Sequence, residues 1–92
     1  MHVFSMNDCD WVAAETAEDA IKFYLDMISV KDTPEDRAEY LEEPIEALPQ
    51  EAMDRLRFYD PDNDIRCSFT EQLAKELARG QTFPAFFAST EY

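Results

Sequence analysis

Apolar and polar positions alternate along this 92-residue chain in short blocks separated by clear turn signals. His2-Val3-Phe4-Ser5-Met6 reads as a strand, Asn7-Asp8-Cys9-Asp10 as turn chemistry, and Trp11 to Ala14 as the return strand of a hairpin with a four-residue loop. Thr16, with Asp19 three residues on, forms a capping box with the shorter acid. Behind it, Ala17, Ala20, Ile21, Tyr24, Leu25 and Ile28 fall on one face at helical spacing, which predicts a helix over about 17–29. Glu18 and Lys22 are placed to pair at i,i+4 on its solvent side.

A second start signal follows at Thr33, a capping residue, with Pro34 suited to the first helical position and Glu35 and Asp36 to the positive end of the helix dipole. Pro44 must end or kink this helix, predicted over 34–43. Its apolar members are only Ala38, Tyr40 and Leu41, so it is a surface element, anchored by Leu41 with help from Tyr40. Pro49 opens a further helix through Met53 and Leu56. Phe58-Tyr59 leads into the polar loop 60–64, and Ile65 to Cys67 is a short strand. Ser68 with Glu71 caps a helix through Leu73, Leu77 and Ala78, stopped by Gly80. The aromatic segment 82–90 is strand-like, and Pro84 restricts it to a sheet edge or to the first strand residues. These elements predict one compact α+β domain over 1–92: a small, mostly antiparallel sheet of N-terminal hairpin plus C-terminal strand, covered by three to four short helices.

Charge changes this picture. The chain carries 21 acids against 8 Lys and Arg, a net of −13. Residues 1–54 hold 15 acids and 3 bases, a net of −12, whereas residues 55–92 hold 6 acids and 5 bases, a net of −1. Such a field repels nucleic acid and anionic membranes and attracts basic surfaces. Its densest part is 32–54, where Asp32, Glu35, Asp36, Glu39, Glu42, Glu43 and Glu46 form the candidate partner-binding set, with Arg37 as the one cation. On a helix, Glu35, Glu39 and Glu42 follow i, i+4, i+7 and line one face about 5–6 Å apart along the axis. A row of that kind imitates the phosphates of a nucleic-acid strand in front of Lys and Arg side chains. The plain alternative is a solvated acidic face that keeps a small protein soluble.

Other chemistry is sparse. Asp60, Asp62, Asp64, Ser68 and Glu71 occupy positions 1, 3, 5, 9 and 12 of a calcium-binding EF-hand loop, with helix-like sequence on both sides. The sixth position is Ile65 rather than the glycine that the turn requires, and there is no partnering hand. A polar turn followed by a helix cap accounts for the same residues. With His2 as the only histidine and a single glycine, no catalytic triad, two-histidine metal site or glycine-rich phosphate loop can be assembled. No cofactor is implied, and neither a leader nor a membrane span is read. Cys9 and Cys67 form no CxxC pair, so a cytoplasmic protein with reduced thiols is expected.

The segments MNDCDWVAAE (6–15) and FPAFFASTEY (83–92) resemble small proteins carried by phages and prophages. By size and acidity the chain is similar to anti-CRISPR proteins, some of which imitate DNA. That resemblance implies a stoichiometric inhibitor, not an enzyme, whose partner is a basic nucleic-acid-handling host protein such as a CRISPR effector subunit. It carries over no catalytic residue.

Overall fold

The computed structural model describes residues 1–7, 9–42, 44–60, 62 and 64–89 of an α+β protein. Its elements in chain order are β1 (His2–Ser5), β2 (Asp10–Ala14), α1 (Ala17–Met27), α2 (Pro34–Tyr40), α3 (Gln50–Arg55), β3 (Arg57–Asp60), β4 (Ile65–Ser68), α4 (Phe69–Ala78) and β5 (Ala85–Ser89). They form two compact units, one built from 1–47 and 83–89 and the other from Leu48–Thr82. Among the described residues, no helix is long and apolar enough to cross a membrane.

In the first unit, β1, β2 and β5 make an antiparallel sheet in the order β1-β2-β5. Phe4 stands opposite Val12, and Val12 opposite Phe86, with a register irregularity between Trp11 and Val12. β5 is an edge strand and Pro84 immediately precedes it, as a residue without an N–H requires. One sheet face presents Phe4, Val12 and Ala14 to α1, which contributes Ala20, Ile21, Tyr24 and Leu25 to the same core. Met6, Leu41 and Ile45 complete it. Each fully buried aliphatic side chain here adds roughly 1.5–3 kcal/mol relative to exposure.

Helix α1 starts where the capping residue predicts, with the Asp19 N–H donating to Thr16 Oγ1 at 3.1 Å. It stops at Met27, two residues short of the expected end, because Ser29 takes a left-handed φ of 60° and the Val30 N–H returns to the Leu25 carbonyl. A network around Asn7 then locks the hairpin turn to the helices. Asn7 Oδ1 accepts the N–H groups of Cys9 and Asp10, while Nδ2 donates to the Tyr24 hydroxyl at 2.8 Å and to the Tyr40 carbonyl at 3.2 Å. Tyr24 in turn donates to Asp10 Oδ2 at 2.6 Å, and burial, reinforced by that bond, pushes its phenol up to about 12.

In the second unit, β3 and β4 pair as a two-stranded antiparallel sheet, with Phe58 opposite Cys67 and both buried. Helix α4 opens with the Glu71 N–H donating to the Ser68 hydroxyl at 3.1 Å, and Gly80 with φ 76° follows its end. The α3 and α4 helices are joined through Asp54, which accepts from Thr70 at 2.6 Å and Gln50 at 2.8 Å; both bonds hold its carboxyl below the usual carboxylate range. A buried polar chain runs from the Cys67 thiol to Gln72 Oε1 and from Gln72 Nε2 to Glu76 Oε2 at 3.0 Å. Burial raises the Glu76 carboxyl.

Two outcomes are expected. Asn7→Ala removes four side-chain hydrogen bonds and lowers stability by about 2–3 kcal/mol in urea denaturation, whereas Tyr24→Phe costs about 1–2 kcal/mol. Because the folded carboxyl of Glu76 titrates above its unfolded value, its contribution is fully present at low pH and is lost as pH rises through the folded value. Glu76→Gln is therefore more stable than the parent at pH 7–8, by thermal melting, and the difference shrinks toward pH 4.

Candidate acidic binding surface

The acidic stretch belongs to the first unit as far as Ala47, as one short helix and a tail, whereas Glu51 and Asp54 fall on α3 of the second unit. Thr33 caps α2, accepting from the Asp36 N–H at 3.2 Å, and Pro34 fills the first turn. The helix ends at Tyr40, three residues before the predicted end at 43. Leu41 leaves helical geometry (φ −119°, ψ 142°) to bury its side chain, and the Glu42 N–H then donates to the Met6 carbonyl at 2.9 Å. Core burial and a bond to the β1–β2 turn thus outweigh three more helical residues ahead of Pro44.

That early end breaks the predicted carboxylate row. Glu35 and Glu39 remain on one helical face at i,i+4, but Glu42 lies on the extended tail and is not their i+7 neighbour. Glu46 is exposed beside buried Ile45 and beside Ala47, which bridges to Phe4. Glu43 lies outside the described residues. The second anchor is also different from the one expected: Ile45, not Tyr40, is buried with Leu41, and Tyr40 is held by its carbonyl instead of its ring. The one sequence signal for it is the apolar pair Leu41 and Ile45 on either side of Pro44 in an otherwise acidic segment.

Arg37 is paired with two carboxylates. Its guanidinium donates to both oxygens of Asp32 and, through Nη2 at 2.9 Å, to Glu18 Oε1 on α1. Glu18 therefore pairs across elements rather than with Lys22. The Arg37 hydrogen bond holds the Asp32 carboxyl below its ordinary value, and the two carboxylates raise the guanidinium. By contrast, Glu35, Asp36, Glu39 and Glu46 make no ion pair among the described residues. Beside α2 lies a groove of about 880 Å³ lined by Asp32, Pro34, Arg37, Ala38, Leu41 and Glu42. Apolar Pro34, Ala38 and Leu41 suit the aliphatic stem of a long cationic side chain, and the carboxylates suit its head.

Charge divides with the units. Segments 1–47 and 83–89 carry 13 acids and 3 bases, a net of −10, and segment 48–82 carries 7 acids and 5 bases, a net of −2. The calcium-loop residues fall on different elements of the second unit. Asp60 ends β3, Asp64 has a left-handed φ of 52°, Ile65 opens β4, and Ser68 and Glu71 are engaged with each other at the start of α4. A strand rather than a helix precedes this loop and β4 falls inside it, because residues 57–60 and 65–68 pair with each other; only the C-terminal side continues into a helix, α4. Among the described residues no group of three or more His, Cys, Asp or Glu is arranged to hold a metal. His2 packs edge-on against Phe4 at 6.2 Å, and Cys9 and Cys67 are free thiols.

Removing the Arg37 cation tests the pairing. In Arg37→Gln the Asp32 carboxyl returns upward in an NMR titration, and the stability it contributed above its unfolded value disappears, so the acid limb of the stability curve flattens.

No protein-family model matches this chain, and no similar curated protein or solved structure was found.

Proposed function

We propose that this protein is a stoichiometric binding inhibitor of the anti-CRISPR type, whose acidic surface occupies the nucleic-acid channel of a basic host protein such as a CRISPR effector subunit. It works without turnover or cofactor, in the bacterial cytosol, and does not itself contact nucleic acid through this face. The observation that carries the reading is the uncompensated surface on α2 and its tail. The Arg37 charge is taken up by Asp32 and Glu18, while Glu35, Asp36, Glu39 and Glu46 have no cationic partner among the described residues. Like charges at i,i+4 cost a helix a few tenths of a kcal/mol. A basic channel offsets that repulsion, and long-range attraction speeds the encounter.

The rigid anchoring of this surface adds support. Leu41 and Ile45 are buried beneath it and Asn7 holds the Tyr40 carbonyl, so the carboxylates are presented on a fixed frame with little ordering cost on binding. Reversing Glu35, Glu39, Glu42 and Glu43 to Lys is expected to weaken inhibition of the effector at least tenfold with an unchanged circular dichroism spectrum. Binding of the parent falls steeply between 50 and 300 mM salt, and that of the variant does not. An unchanged inhibition constant in the four-fold variant removes the mimicry reading, and a salt-insensitive complex directs attention to the apolar floor of the groove.

A further inference from the structure

The β3–β4 hairpin carries a surface opposite in character to the acidic one. Strand alternation places Phe58 and Cys67 on the buried face and Arg57, Tyr59 and Arg66 on the other. Tyr59 stands directly opposite Arg66, whose guanidinium lies over its ring at 4.9 Å. Arg57 is opposite Ser68, so the two arginines sit at diagonal positions of one sheet face, roughly 7 Å apart at the backbone. Together with Phe58 and Cys67 they line a recess of about 540 Å³, a volume that suits a small molecule.

The pairing pattern is the unexpected part. In a chain with 21 acids and 8 bases, an arginine has many carboxylates to choose from, and Arg37 has two. Arg57 and Arg66 nevertheless make no ion pair among the described residues, and they repel each other across the same face. Two unneutralised guanidinium groups beside an aromatic ring match an anion joined to a planar group. Exposed Asp62 and Asp64 in the hairpin loop and the net charge of −13 oppose a long polyanion, so the ligand is compact.

We infer that this face of the β3–β4 hairpin binds a nucleoside phosphate, with the phosphate between Arg57 and Arg66 and the base stacked on the Tyr59–Arg66 pair. Arginine suits both tasks, since its fork donates two hydrogen bonds to phosphate oxygens while its plane stacks. The site is separate from the acidic residues of the proposed inhibitor function, so either can fail without the other.

The test is titration of the full-length protein with AMP, adenosine, inorganic phosphate and an eight-residue oligothymidylate, followed by NMR of backbone amides and arginine Nε–H signals. AMP is expected to bind with a dissociation constant on the order of 0.1–1 mM and to shift the Arg57, Tyr59 and Arg66 signals. Arg57→Gln and Arg66→Gln each weaken it at least tenfold, Tyr59→Leu weakens it severalfold, and Arg79→Gln has no effect. Circular dichroism identifies any variant that fails to fold, and the parent titration alone then decides. No AMP binding at 10 mM, binding of adenosine or phosphate as tight as that of AMP, or tighter, salt-dependent binding of the oligonucleotide each overturns the assignment.

Discussion

The side-chain amide of Asn7 makes four hydrogen bonds, and their chemistry admits one orientation. The oxygen accepts two backbone N–H groups of the β1–β2 turn, and the nitrogen donates to a phenol and a carbonyl. Through them a single residue sets the turn, fixes Tyr24 of α1 against that turn, and takes the Tyr40 carbonyl where α2 ends. The Tyr24 hydroxyl accepts from Asn7 while donating to Asp10, and its raised phenol stays protonated at any physiological pH. Networks in which every member is satisfied rigidify what they join. Among the described residues no buried side-chain polar atom lacks a partner.

That frame explains how an acidic segment stays folded. Few apolar residues lie between 32 and 47, yet Leu41 and Ile45 reach the core shared by α1 and the three-stranded sheet. Their burial, with the Glu42 N–H bound to the Met6 carbonyl, holds the carboxylates above them against their mutual repulsion. The ion pairs of Arg37 join this segment to α1, but they are exposed and screened and add little beside the apolar anchors. Charge is thus decoration on a conventional core, concentrated on one unit, while the other is close to neutral and groups two of its arginines on a single hairpin face.

Local signals translated directly into local structure. Thr16, Thr33 and Ser68 each cap the helix they announce, Pro34 and Pro84 stand where a missing N–H is harmless, and Gly80 takes the left-handed turn after α4. The α+β class and the antiparallel sheet of N-terminal hairpin and C-terminal strand follow from the same signals. Element ends were less legible. The α2 helix stops at Tyr40 because Leu41 turns into the core, a choice made by residues more than thirty positions away in sequence. Helical spacing predicts a carboxylate row that includes Glu42, and the early end of α2 removes Glu42 from it. In the same way Glu18 pairs with Arg37 instead of Lys22, since bringing α1 beside the 32–37 segment offers a forked donor already shared with Asp32.

Local sequence thus fixes where the helices begin, where the N-terminal hairpin lies, which faces are apolar, and that negative charge is concentrated in the first half; the strand Arg57–Asp60 and the start of β5 at Ala85 are not read from it. Each of the features it fixes depends on neighbours within about four residues, so spacing and capping chemistry suffice. Long-range packing sets which carboxylates share a surface, which cation they pair with, and which two arginines share one sheet face. Those outcomes depend on strand register and on competition for burial between distant segments, and no local pattern encodes either.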